Sequence, residues 1–153
     1  MRTTEIELDR ITLCSGKEFP LICDLAVLEK LQEEYDYAIN EFERDLLGLI
    51  PQKDEDGNLM YNDDGSLILR QGAPRIRALS VGLTLMINEG LRLEAYKKGG
   101  KAKSYTEEEI VYLCKIPFMN LSAMLHEEFM KCFSSKKKLT YPARKVQNRK
   151  RKS

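Results

Sequence analysis

The chain has 153 residues, of which 42% are hydrophobic and 32% are charged, and its formal net charge is +1. This composition is typical of a soluble globular protein. No apolar run reaches the roughly 18 residues of a membrane span, and the N-terminal residues lack the apolar core of a signal peptide. We therefore expect a cytoplasmic protein that does not enter a membrane and whose four cysteines are thiols.

The near-neutral net charge is the sum of two parts of the chain that have opposite charge. Residues 136–153 contain nine basic residues and no acidic one, so the rest of the chain holds 16 of the 25 basic residues and all 24 acidic ones. Blocks of like charge are usually disordered and often act as interaction arms. The sequence therefore predicts one globular domain over residues 1–133 and a basic, disordered C-terminal tail over residues 134–153.

The first predicted element is an N-terminal β-hairpin. Two short β-prone runs, residues 11–14 and 19–23, flank a turn centred on Gly16-Lys17. This turn would pair Leu13 with Pro20. Because two strands alone are marginally stable, the hairpin must lay one face on a helix.

Asp24 has the chemistry of a helix N-cap, and the pattern after it predicts one helix that continues to about Leu47 and ends at Gly48. One side of this helix carries an apolar stripe, whereas residues 24–47 hold eight acidic and only two basic residues. The acidic side is either a solvated surface or a docking surface for a basic partner. Under the second interpretation its candidate partner-binding residues are Glu33, Asp36 and Glu41.

Residues 51–73 show no helical periodicity and are too many for a structureless connection. Two apolar runs, residues 59–61 and 67–69, flank the turn at residues 62–65, which predicts a second hairpin near residues 59–69. The acidic residues here do not match the spacing of an EF-hand calcium loop, so we expect no calcium site.

The most apolar stretch, residues 74–93, predicts a central helix surrounded by neighbours. Two glycines within it, Gly82 and Gly90, would admit a closely packed element. The residues that mark its principal buried face are Ile76, Leu79, Leu83, Met86 and Ile87.

Two further helices are predicted after the central one. A capping box at Thr106 and Glu109 opens a short helix. A last amphipathic helix carries one apolar face that consists of Phe118, Leu121, Leu125, Phe129 and Cys132. The predicted fold is mainly α with some β structure (α+β): a small bundle of about four helices with an N-terminal β-hairpin and a second hairpin near residues 59–69.

The sequence contains no recognisable constellation of catalytic residues. His126 is the only histidine, and no phosphate-binding loop, nucleophile elbow or kinase signature is present. We expect neither an enzyme nor a cofactor or metal site.

The basic tail is the segment best suited to contact nucleic acid, because clustered lysine and arginine release counterions from phosphate. It has one aromatic residue, Tyr141, which gives little support for reading bases. The candidate contact residues in the tail are Lys136, Lys137, Lys138, Arg149, Lys150 and Arg151.

Three stretches carry a family resemblance: ITLCSGKEFPLICDLAVLEKLQEE, RIRALSVGLTLMINEGLR and YTEEEIVYLC. In order, they combine a G-K-E-aromatic-P hairpin that leads into a helix, a helix that ends in N-E-G, and a T-x-E-E helix start. This pattern resembles the tail assembly chaperones of long-tailed bacteriophages and related prophages. The acidic segment 54–70 and the basic tail depart from the short forms of that family.

The resemblance implies a small α-helical adaptor without catalytic residues. Such a protein binds the phage tape measure protein, keeps it soluble and assists assembly of the tail tube protein around it. It acts in the cytoplasm of the bacterial host and is absent from the mature virion.

Two other functions remain open from the sequence. One is a nucleic-acid-associated regulatory protein that uses the basic tail, which salt-dependent retention on DNA or RNA would indicate. The other is a structural virion protein, which would be found in purified particles.

Overall fold

The computed structural model describes residues 7–133, which form a mainly helical α+β fold with two small antiparallel hairpins. The predicted fold class is therefore confirmed. The tail, residues 134–153, lies outside the described residues. In chain order the elements are β1 (Asp9–Cys14), β2 (Lys17–Leu21), α1 (Leu25–Glu34), α2 (Ile39–Leu47), β3 (Leu49–Pro51), β4 (Leu69–Gln71), α3 (Ile76–Lys98), α4 (Glu107–Leu113) and α5 (Phe118–Met130).

Helix α3 is the centre of the fold, as its apolar sequence predicts. It contacts β2 and all four of the other described helices. Four of the five residues assigned to its principal face are buried: Leu79, Leu83, Met86 and Ile87. The assignment of Ile76 to that face is wrong, because this residue opens the helix and 61% of it remains exposed.

The N-terminal hairpin forms as predicted, but its register differs from the expected one. Pro20 pairs with Arg10, not with Leu13. Lys17 pairs with Cys14, so the turn consists of Ser15 and Gly16, and the register shifts next to this turn. The resulting alternation places the apolar side chains of both strands on the core side: Ile11, Leu13, Phe19 and Leu21.

Glycines in α3 permit the close approach that the sequence suggested. A Cβ added at Gly90 would lie 2.9 Å from the carbonyl carbon and oxygen of Pro20. One added at Gly82 would lie 3.0 Å from the ring of Phe42. Since a real Cβ does not come so close to a backbone atom, β2 can pack against α3 here only because residue 90 has no side chain.

The predicted helix over residues 24–47 is wrong in one respect, because it is divided into α1 and α2. Asp24 caps α1 as expected, since its carboxylate accepts a hydrogen bond from the Val27 N–H at 3.1 Å. The chain then turns through Asp36 and Tyr37, which have φ angles of 51° and 68°. A continuous helix of this length would extend about 36 Å. The turn instead lets α2 fold back.

Helix α2 packs against the core with its aromatic residue, Phe42. Phe42 is fully buried and packs edge-on against Tyr35 and Phe129, with ring centroids 5.6 and 5.3 Å apart. Gly48 ends α2, as predicted, and the structure shows it in the left-handed conformation, with φ of 76°.

Residues 49–71, which we call the arm, contain the second hairpin. The turn predicted at residues 62–65 is present, with a bridge between Tyr61 and Leu67. The paired strands, however, are β3 and β4, so Leu69 pairs with Pro51. Three segments of the arm are connected by a closed set of backbone hydrogen bonds. The N–H of Gln52 donates to the carbonyl oxygen of Ile68, that of Ile68 to Met60, and that of Met60 back to Gln52.

Helix α4 begins as its sequence predicts, and the last predicted helix is present as α5. Thr106 and Glu109 form both hydrogen bonds of the capping box at the start of α4. Helix α5 buries Leu121, Leu125 and Phe129, whereas Phe118 at its first position is 42% exposed and Cys132 is half-buried. The apolar face predicted for this helix is therefore buried in its middle and open at its start.

We expect Gly90→Ala to destabilise the protein although alanine is the better helix former. The new methyl group would push the Pro20 backbone, at a net cost of about 1–2 kcal/mol after the gain in helix propensity. Gly100→Ala is the matched control, since a Cβ there meets no atom within 4 Å. Urea denaturation measures the free energy of unfolding of both variants. Equal or greater stability of Gly90→Ala would contradict the close packing of β2 on α3.

Candidate partner-binding surfaces

The predicted acidic partner-binding residues lie on the surface of the α1–α2 region. Glu33 belongs to α1, Asp36 to the turn and Glu41 to the first turn of α2, and all three are exposed. Within residues 7–133 none of them forms an ion pair. The six basic candidates, Lys136, Lys137, Lys138, Arg149, Lys150 and Arg151, lie outside the described residues.

Other acids of the same region have a structural role that the sequence did not indicate. Glu34 bonds Arg77 of α3 at 2.5 Å, and Asp45 pairs with Arg75 at 3.3 Å. Glu43 contacts Nε2 of His126 on α5 at 2.9 Å. These acids tie α1 and α2 to the helices beneath them, so only part of the acidic side remains unpaired.

An apolar groove is the clearest candidate for binding a partner. It lies between the start of α3, α4 and the start of α5, and its volume is about 160 Å³. Among the described residues that line it, none is charged. Its lining includes Ile76, Leu79 and Leu83 of α3, Val111 and Cys114 of α4, and Phe118 of α5.

The mouth of the groove consists of exposed apolar side chains. Ile76, Val111 and Phe118 are 61%, 50% and 42% exposed. Leaving such groups in water is unfavourable by about 25 cal/mol for each Å² of apolar surface. The groove therefore offers free energy to any apolar group that covers it.

The sequence did not single out this groove, although it contained a signal. Ile76 and Phe118 were both assigned to buried faces from their helical spacing. Each follows a proline closely, Pro74 and Pro117, and each is the first residue of its helix. Apolar residues at helix ends extend beyond the neighbours that cover the middle of the helix.

The arm presents a second apolar surface. Leu59, Met60, Tyr61 and Leu69 are all exposed to a substantial degree. The turns beside them are acidic and held by local hydrogen bonds, such as those from the Asp56 and Asn58 N–H groups to Asp54. The arm therefore combines apolar and acidic groups away from the core.

Two buried carboxyl groups have shifted pKa values. Burial and the neighbouring Asp9 carboxyl raise the pKa of Glu128 to about 7, although Lys131 opposes this shift. Glu89 receives two hydrogen bonds from Arg92, at 2.8 and 2.6 Å, which lower its pKa. The ion pair of Lys131 with Asp9 joins the end of α5 to β1, whereas Glu89 and Arg92 both belong to α3. Each of the two carboxyl groups lines a surface cavity, of about 210 Å³ at Glu128 and about 480 Å³ at Glu89.

Within residues 7–133 no three histidine, cysteine or acidic side chains are grouped so that they could hold a metal ion. No helix in this range combines the length and the apolar character needed to span a bilayer.

Comparison with known proteins found no matching family model, no similar curated protein and no similar solved structure. Functional inference therefore depends on the sequence motifs and on the surfaces described above.

The raised pKa of Glu128 predicts how stability depends on pH. Its pKa is about 7 in the folded state against an ordinary 4.5, so the folded protein binds this proton more tightly than the unfolded chain does. The free energy of unfolding should therefore fall as pH rises from about 5 to 8, with Glu128 contributing on the order of 1–3 kcal/mol.

Glu128→Gln should make the dependence of stability on pH shallower, because glutamine has no proton to release. Glu127→Gln is the matched control, since Glu127 is exposed on the same helix. Denaturant unfolding at pH 5, 6, 7 and 8 measures the slope. If Glu128→Gln retained the slope of the unmodified protein, Glu128 would not be the group responsible.

Proposed function

We propose that this chain is a tail assembly chaperone of a long-tailed phage or prophage, which binds the tape measure protein and keeps it soluble during tail tube assembly. The observation that carries the proposal is the apolar groove between α3, α4 and α5. The three stretches that resemble the chaperone family lead to the choice of partner. In this proposal the protein acts in the host cytoplasm and is not retained in the virion.

The size of the groove favours a protein segment over a small molecule. Its volume of about 160 Å³ is below the roughly 300–1,000 Å³ of typical small-molecule pockets. It suits one or two apolar side chains from a larger partner. An amphipathic helix supplies such side chains at positions i, i+3 and i+4, and a long tape measure protein presents such helices before the tube encloses it.

Charges near the groove would set orientation and the rate of association. Arg75 and Arg77 flank Ile76 in the sequence and are already paired with Asp45, Glu34 and Glu107. The edge of the groove is therefore mixed in charge. Apolar contact should supply most of the affinity, and charge should mainly affect association.

The test is co-expression of the full chain with the tape measure protein encoded nearby, followed by affinity recovery at low and physiological salt. The unmodified chain should recover soluble partner at both concentrations, because apolar contacts depend little on ionic strength. Val111→Glu should reduce recovery about tenfold or more, since it places a charge in the mouth of the groove. Val111 is already half exposed, so the variant should still fold.

Leu25→Glu is the matched control, because Leu25 is an 82% exposed leucine on α1 that does not line the groove. It should leave recovery unchanged. If both substitutions reduced recovery of the partner equally, the partner would not bind specifically at the groove. Failure of the unmodified chain to solubilise the partner, together with salt-sensitive retention of nucleic acid, would favour the nucleic-acid-associated alternative.

A further inference from the structure

Two cysteines that are far apart in the sequence meet beside the core. Cys23 lies between β2 and α1, and Cys132 follows the end of α5. The sulfur of Cys132 donates a hydrogen bond to the carbonyl oxygen of Cys23 at 2.8 Å, across 109 positions of sequence. The two thiols are also close enough to affect each other's pKa.

The distances are compatible with a disulfide. A carbonyl oxygen lies about 2.4 Å from its own Cα, and a cysteine sulfur about 2.8 Å from its Cα. Together with the hydrogen bond, these lengths keep the two Cα atoms within about 8 Å, and bends in the path shorten this separation towards the usual range of roughly 4.4–6.8 Å. Cys14 and Cys114 make no comparable sulfur contact within the described residues.

We propose that Cys23 and Cys132 are a disulfide-forming pair, which a small-molecule disulfide such as oxidised glutathione converts from two thiols into a covalent link between the hairpin and the last helix. This inference is independent of the proposed chaperone function.

The reaction is a pair of thiol–disulfide exchanges. The Cys132 thiolate, which is the more accessible of the two, attacks one sulfur of glutathione disulfide and releases one glutathione thiolate. The Cys23 thiolate then attacks the Cys132 sulfur of this mixed disulfide and expels the second glutathione. Two protein thiols are oxidised, one glutathione disulfide is reduced to two thiols, and both protein protons pass to the released glutathiones.

The surroundings of the two thiols determine how fast they undergo disulfide exchange. Burial raises the pKa of both thiols, and the nearby carboxylates of Asp24 and Glu128 raise them further. Only a small fraction of either thiol is thiolate at neutral pH, so the exchange should be slow at pH 7 and should accelerate as pH rises.

The experiment incubates the full chain with oxidised glutathione at pH 7 and pH 8.5, blocks remaining thiols, and maps disulfides by mass spectrometry. We expect an internal Cys23–Cys132 link that forms faster at pH 8.5. The double variant Cys14→Ser/Cys114→Ser is the control and should form the same link. Cys23→Ala should stop at the glutathione adduct on Cys132, because the resolving thiol is absent.

Thermal unfolding provides a second readout that does not depend on any variant. The link closes a loop of more than 100 residues, so the oxidised protein should melt roughly 10 °C higher than the reduced protein. A link that involves Cys14 or Cys114, glutathione adducts without an internal bond, or an oxidised protein that melts no higher than the reduced one would each overturn the proposal.

Discussion

The burial of α3 on most of its circumference is the constraint on which the rest of the structure depends. A helix with so little polar surface is stable in water only when neighbours cover it. The hairpin covers it through β2, and the remaining described helices complete the enclosure. Gly90 and Gly82 bring β2 and Phe42 nearer than any other residue would allow. The enclosure of α3 therefore depends on its glycines as well as on its large apolar residues.

This arrangement explains why the candidate binding surface lies at one end of the molecule. The neighbours of α3 cover its middle, but α4 has only seven residues, and the first residues of α3 and α5, Ile76 and Phe118, line the same groove. The apolar positions at that end, Ile76, Val111 and Phe118, are left partly uncovered. A partner that binds there would complete the enclosure that the chain itself leaves open.

The sequence predicted those features that depend on local chemistry. The cap at Asp24, the capping box at Thr106 and the helix end at Gly48 all involve groups within a few residues of one another. The position of α3 followed from its composition. These features can be predicted without knowing which elements pack against them.

The features that were missed depend on tertiary contacts. The break between α1 and α2 places two residues that are not glycine, Asp36 and Tyr37, at positive φ, so no glycine or proline announced it. The pairing of β3 with β4 joins segments separated by the rest of the arm.

The sequence missed the candidate binding surface and the cysteine pair for the same reason. Ile76 and Phe118 have the spacing of core residues and are exposed only because of where their helices begin. The meeting of Cys23 with Cys132 spans most of the chain, and neither residue lies in a metal-binding or redox motif. Patterns within one helix or strand cannot report which parts of its surface a distant segment covers.

Hydrogen exchange of the native protein tests the central position of α3 most directly. We expect the amides of residues 79–90 to exchange only through global unfolding, with the full dependence on denaturant, and those of residues 52–68 in the arm to exchange through local opening. The opposite order, or exchange of residues 79–90 at low cost and without dependence on denaturant, would contradict a fold organised around an enclosed α3.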